Sequence, residues 1–183
     1  ARAYVWWPGL DDDITRLVKE CPRCNAAQNQ APPVPMHPWE WPTGPFDRIH
    51  VDYCGPMDGH MFLLIVDAYS KWVDVYPTTV STTVATLDKL RAAFAAWGLP
   101  RVLCTDNAAC FTSPVFEQFC TDNGIEHVTS PPLSPKSNGL AERYVQTFKH
   151  SYSLSQGTVA SKVAQFLIQY RSTPHTTTKQ SAA

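Results

Sequence analysis

The sequence predicts an α/β domain built on a mixed five-stranded sheet flanked by helices. Three observations point to it. Between residues 47 and 79 three apolar, β-branched runs follow one another with only short turns between them, the signature of an antiparallel meander. From residue 80 onward helical and strand patterns alternate, ending in two successive helices, which adds two further strands with helices to cover the sheet. The chain has 183 residues, 44% hydrophobic and 17% charged, enough apolar material for one sizeable core and too much for a disordered or fibrous chain.

Residues 10–20, LDDDITRLVKE, read as a helix, with acids crowding its positive end and an apolar stripe of Leu10, Ile14, Leu17 and Val18. CPRC follows, and then APPVPMHPWEWPTGP, too rich in proline for helix or strand and therefore a surface linker. Its Trp39, Trp41 and Phe46 are expected to dock on whatever the linker crosses. The three meander strands are RIHVDYC, which alternates, MFLLIVDAYS, which is continuously apolar, and KWVDVYPTT, which alternates again. TTVATLDKLRAAFAAWG is a helix closed by Gly98 with Pro100 just beyond. RVLCTD is a short buried strand. SPVFEQFCTDNG is a helix with Ser113 as cap, Pro114 in its first turn and Gly124 at its exit. IEHVTS makes the fifth strand, the loop and helix of SPKSNGLAERYVQTFK come next, and VASKVAQFLIQYRST is the last helix.

Net charge is only −1, but its distribution is uneven. From His127 onward six Lys and Arg face a single acid, Glu142, a surplus of five positive charges that leaves −6 on the remainder. A basic third beside an acidic remainder can orient a polyanion. Six cysteines (Cys21, Cys24, Cys54, Cys104, Cys110, Cys120) are too sparse for a disulfide scaffold, and most sit in apolar strand or helix patterns. That favours free thiols in a reducing, intracellular setting. No apolar run approaches the length of a membrane span, so no membrane partner is expected. With neither an initiator Met nor a leader, the chain reads as a piece of something longer.

Three acids stand out as able to act together. Asp52 lies opposite Val51 and Tyr53 on the first strand, Asp106 ends the fourth strand, and Glu142 rides a helix that can pass over the same edge, with thirty-five residues between Asp106 and Glu142. Carboxylates that converge without basic partners repel one another and need a cation. Oxygen-only donors select magnesium or manganese, and two such ions can clamp both oxygens of an in-line phosphoryl transfer. Three unrelated surface acids would give the same composition. On a helix Glu142, Gln146 and Lys149 share one face, while Ala141, Val145, Phe148 and Tyr152 form the buried stripe.

The segments HVDYCGP, CTDNAACFTS and SPKSNGLAERYVQTFK, at this spacing, resemble the catalytic core of retroviral integrases, most closely those of Gypsy-class retrotransposons and domesticated host proteins derived from them. The likeness extends to YVWWPGLDDDITRLVKECPRC, VDAYSKWVDVYP and QYRSTPHTTT, nearly the whole chain. It implies an RNase H-like fold with Asp52, Asp106 and Glu142 as a magnesium-binding triad, 3′-end processing and strand transfer into double-stranded target DNA, a homodimer, and a nuclear location. It also implies that Lys136, Asn138 and Gly139 belong to a mobile loop that meets the element's DNA end. Lys149, two turns from Glu142 on its helix, is placed for a DNA phosphate, and Arg143 is a further candidate contact, with simple solvent exposure the alternative for Lys136 and Arg143. Cys21 and Cys24 match the second half of a His-His-Cys-Cys zinc module whose two His would precede Ala1. Zinc is expected only where that pair is supplied, since His37 and His50 come in the wrong order. The implied domains are residues 1–27 as the tail of the zinc module, 28–46 as linker, 47–178 as catalytic core and 179–183 as tail.

One feature departs from the pattern. Ala108 and Ala109 stand where the family usually has Gly, at a cost on the order of 1 kcal/mol if the turn needs a positive φ. Asp67 also ends a strand, but reads as a cap for the turn toward Ser70. Cys54 and Cys104, each two residues from a triad acid, read as small core residues. The alternative function is a domesticated, non-catalytic nucleic-acid-binding or interaction module. A ribonuclease H on the same fold is disfavoured by SNGLAER and CPRC.

Overall fold

The computed structural model describes residues 6–20, 41–130, 139–175 and 181–182. Cys21, Cys24, His37, Trp39, Lys136 and Asn138 lie outside the described residues. The chain divides into two units, residues 1–39 and 40–183. In the first, α1 (Leu10–Glu20) carries Asp11, Asp12 and Asp13 in its first turn and Lys19 in its last, matching the helix dipole at both ends. Asp13 accepts from Trp7 Nε1 at 3.0 Å and Arg16 at 2.7 Å. Leu10 is buried while Ile14 and Leu17 are exposed, so of these three stripe residues only the first is covered.

The second unit holds the sheet. Strands β1 (Arg48–Met57), β2 (His60–Asp67), β3 (Val73–Thr78), β4 (Val102–Thr105) and β5 (Glu126–Thr129) are ordered β3-β2-β1-β4-β5. The pairs β1–β2 and β2–β3 are antiparallel, and β1–β4 and β4–β5 are parallel. β2 reads as an unbroken apolar run because both of its faces are covered. Leu63 and Ile65 pack with Ile49, Val51, Leu90 and Phe116 on one side, while Phe62, Leu64 and Val66 pack with Tyr144 and Phe148 on the other.

The first face is covered by α2 (Thr83–Trp97) and α3 (Pro114–Asp122). Thr82 and Ser113 cap them by accepting from Ala85 N and Phe116 N, and Gly98 closes α2 at φ 92°. The second face is covered by α4 (Gly139–Leu154) and α5 (Val159–Ser172). Ala141, Val145, Phe148 and Tyr152 are buried as the sequence predicts, and Tyr144 joins them. Phe148 is the hub, with ring centroids 5.2 Å from Phe62, 5.0 Å from Phe166 and 5.5 Å from Tyr152.

Phe46 stacks on Trp97 at 5.4 Å with nearly parallel planes. Trp41 stays exposed, with the Lys71 ammonium 4.7 Å from its ring centre. Cys54, Cys104, Cys110 and Cys120 are buried free thiols. Burial pushes Cys54 and Cys104 up to about 12, leaving them protonated and inert.

Candidate nucleic-acid processing site

The sheet register brings two of the three acids together. The last paired position of β1 and β4 is His50↔Cys104, and Asp52 and Asp106 each lie two residues beyond it along their own segments. Because side chains alternate along a strand, Asp52 emerges beside His50 and Cys54, on the face that α4 covers. Cys54 packs into that face's core, whereas Val51 and Tyr53 point to the other. Glu142 comes from the first turn of α4, whose buried stripe seats it on the same face.

The electrostatics report this convergence. The Asp52 carboxyl is pushed up from 3.8 to about 6, first by burial and then by the negative charge of Asp106. Glu142 pushes it the same way, while the Tyr53 N–H, donating at 2.7 Å, and the Lys149 ammonium pull it down. Lys149 is half-buried and Glu142 is exposed. Among the described residues, no three His, Cys, Asp or Glu side chains are gathered closely enough to enclose an ion by themselves. The donor set nonetheless fits a hard divalent cation. Magnesium keeps several waters and is held by one or two carboxylates plus substrate phosphate, rather than by an all-protein cage. A carboxylate that resists ionisation beside two others is one that a cation would relieve.

Asp106 sits in a braced corner. Its Oδ1 accepts from Ala108 N at 3.0 Å, Asn107 Nδ2 donates to Ser130 O at 2.6 Å, and Ser130 N donates to Thr105 O at 3.0 Å. Ala108 is not among the residues with positive φ, so the turn needs no glycine and the expected strain is absent. The buried Thr105 hydroxyl lies 2.9 Å from Asp106 O and 2.8 Å from His127 Nε2. The sequence reading missed Thr105, Asn107 and His127. The polar residues flanking Asp106 in CTDN were the available signal.

Asp67 is a turn cap, as read. It is 1% exposed and accepts from the backbone N–H groups of Phe46, Tyr69 and Ser70 and from the Ser70 hydroxyl. Arg143 is exposed, and its charge acts on Lys71, Tyr144 and His175. Gly139 is the first residue of α4. A hollow of about 720 Å³ lies elsewhere, between α4 and α5, lined by residues including His150, Leu154, Gln169 and Tyr170. It holds none of the three acids.

Residues 42–135 match the family model described as the integrase core domain, and residues 1–30 match the integrase zinc binding domain. The chain is 40% identical over 178 residues, 96% of its length, to an uncharacterized protein of Caenorhabditis elegans, K02A2.6. It is 36% identical over 145 residues, 75% of its length, to the Pro-Pol polyprotein of simian foamy virus type 3. It spans only 14% and 12% of the length of these two relatives. Among solved structures it resembles a chain of the simian T-cell lymphotropic virus intasome bound to the PP2A regulatory subunit B56 gamma. The TM-score is 0.74 at 20% identity, covering 93% of this chain and 64% of that one. It also resembles the HTLV-2 integrase catalytic core domain in complex with magnesium, with a TM-score of 0.63 at 21% identity, covering 75% of this chain and 94% of that one. At such identities the structural likeness speaks for the fold alone.

Proposed function

The chain belongs to the integrase core family and has its RNase H-like fold, and from that premise we propose that it is the catalytic core of a Gypsy-class retrotransposon integrase or of a host protein derived from one. Its reaction is a divalent-metal-dependent polynucleotidyl transfer: 3′-end processing of element DNA, then strand transfer into target DNA. One observation carries the reading: Asp52 and Asp106 lie two residues past the same paired position on adjacent parallel strands, with Glu142 close enough to raise the Asp52 pKa.

Asp52, Asp106 and Glu142 would hold magnesium or manganese. A bound cation supplies neutralising charge and polarises the phosphoryl oxygens. The chain's own groups set the stage for it. The Tyr53 N–H donates to Oδ1 of Asp52 and the Ala108 N–H to Oδ1 of Asp106, so each carboxylate is held at one oxygen. Lys149, two turns from Glu142 along the same helical face, offers a cation to a DNA phosphate near the acids. Lys136, Asn138, Gly139 and Arg143 complete the proposed DNA contacts.

The proposed boundaries are residues 47–178 for the core, 28–46 for the linker and 1–27 for the tail of a zinc module, with Cys21 and Cys24 as two of its ligands. A homodimer working on double-stranded DNA in the nucleus completes the proposal. The test is disintegration of branched DNA with Mg²⁺ or Mn²⁺, comparing the wild-type chain with Glu142→Gln. Activity lost in the variant supports the enzyme. Silence in both, with no Mn²⁺ binding by titration, would overturn it in favour of a non-catalytic module.

A further inference from the structure

We infer that His127, acting through Thr105, is a positioning residue for Asp106; this rests on the reading of Asp106 as a catalytic carboxylate. The argument begins with a proton count. Thr105 is fully buried and ends β4, one residue before Asp106. Its hydroxyl has one hydrogen and, among the described residues, two hydrogen-bond neighbours, the Asp106 carbonyl at 2.9 Å and His127 Nε2 at 2.8 Å. A carbonyl can only accept, so the hydroxyl hydrogen goes to Asp106 O. His127 must then donate its Nε2–H to Thr105 Oγ1, which fixes the tautomer of the ring.

The ring itself is held firmly. In the parallel register of β4 and β5, His127 pairs with Leu103. Alternation places it on the same face of the sheet as Leu103 and Thr105. Its ring centre lies 5.0 Å from that of Phe116, which packs edge-on to Phe111 at 5.6 Å. A chain of fixed groups therefore runs from the aromatic core to the main chain of Asp106.

The orientation of the Asp106 carbonyl is set by the backbone torsion of Asp106 itself. Holding that carbonyl holds the direction in which the residue presents its carboxylate. Removing the His127 donor leaves the buried Thr105 oxygen short of a hydrogen and frees its hydroxyl to turn away from Asp106. Groups that orient a metal ligand at one remove commonly change metal affinity or activity ten- to a hundredfold when lost.

The test uses Mn²⁺ affinity by titration and disintegration rate on the full chain, with thermal melting as the fold control. His127→Leu should weaken Mn²⁺ binding and slow the reaction by roughly tenfold to a hundredfold. His127→Gln, which can offer an N–H near the position of Nε2, should restore both to within about threefold. Thr105→Val should match His127→Leu, and the double variant should be no worse than either. Independently of activity, the ¹⁵N spectrum of His127 should show the Nε2–H tautomer. The inference alone is overturned if wild type binds and cleaves while Gln is no better than Leu, if the two single losses multiply, or if the Nδ1–H tautomer is found. A wild type that neither binds Mn²⁺ nor cleaves overturns the proposed function, and this inference with it.

Discussion

The proposed site is made of two unlike halves. Asp52 and Asp106 belong to the sheet, where strand register fixes their backbones and the Tyr53 and Ala108 N–H groups fix their carboxylates. Glu142 belongs to a helix, stands exposed, and shares its face with Gln146 and Lys149. The sheet pair is half-buried and pays for its rigidity in charge, since the Asp52 carboxyl is held up at about 6. Glu142 is positioned by the buried stripe beneath it, above all by Phe148. Two acids are thus set by hydrogen bonds, and the third by hydrophobic packing.

The largest effect should come from the acids themselves. Asp52→Asn, Asp106→Asn and Glu142→Gln should each reduce disintegration on the order of 10³-fold or more, as removal of one member of a cooperating set does. Mn²⁺ titration separates the halves. The two strand variants should lose more affinity than Glu142→Gln, because the pre-oriented pair supplies most of the ready-made binding. Equal losses for all three would break the distinction.

Phe148→Ala comes next. The ring is fully buried among Phe62, Tyr152 and Phe166, and its loss should cost about 3–5 kcal/mol in urea denaturation. Activity should fall further than Mn²⁺ affinity, because the change loosens the helix that carries Glu142 and leaves the strand pair in place.

The pH dependence of stability gives a third, smaller test. A carboxyl whose pKa is raised in the fold binds a proton there that the unfolded chain releases, so its effect is to make the metal-free protein less stable as pH climbs from about 4 through 6. Asp47 and Asp58 work in the opposite sense. Arg101 holds the first low and Lys162 the second, so each loses its contribution as pH falls. Comparison with Asp52→Asn isolates the Asp52 effect. The variant should be more stable than wild type at pH 7.5, by at most about 3 kcal/mol, and the gap should close toward pH 4.5. Asp106→Asn should narrow that gap more than Glu142→Gln does, because the Asp106 charge acts more strongly on Asp52.

Much of this was legible in the sequence. The strand runs, the caps at Ser113 and Gly98, and the buried stripe of α4 follow from periodicity and turn chemistry, and the structure has them where the residues predict. The alternation of HVDY placed Asp52 opposite Val51 and Tyr53. Three things were not legible. The pairing of β1 with β4, which aligns Asp52 with Asp106, is a contact between residues 54 apart in the chain, and no local pattern encodes it. The Thr105–His127 hydrogen bond depends on a second non-local contact, the parallel pairing of β4 with β5. Ile14 and Leu17 have helical spacing, but spacing gives a face and not what covers it.

The last prediction is the smallest and concerns the corner beside Asp106. From sequence, Ala108 looks like a strained replacement for glycine, and Ala108→Gly would then stabilise the turn. In the structure Ala108 has no positive φ, and its N–H already caps the Asp106 carboxylate. Glycine would bring no relief there, while enlarging the freedom of the unfolded chain. The substitution should therefore destabilise the protein by about 0.4–1 kcal/mol in urea denaturation. It should leave Mn²⁺ affinity unchanged or slightly weaker, because the N–H remains but its turn is less constrained. A stabilised variant would mean that the corner is strained after all, and that the braced, hydrogen-bonded half of the site is less settled than the packed one.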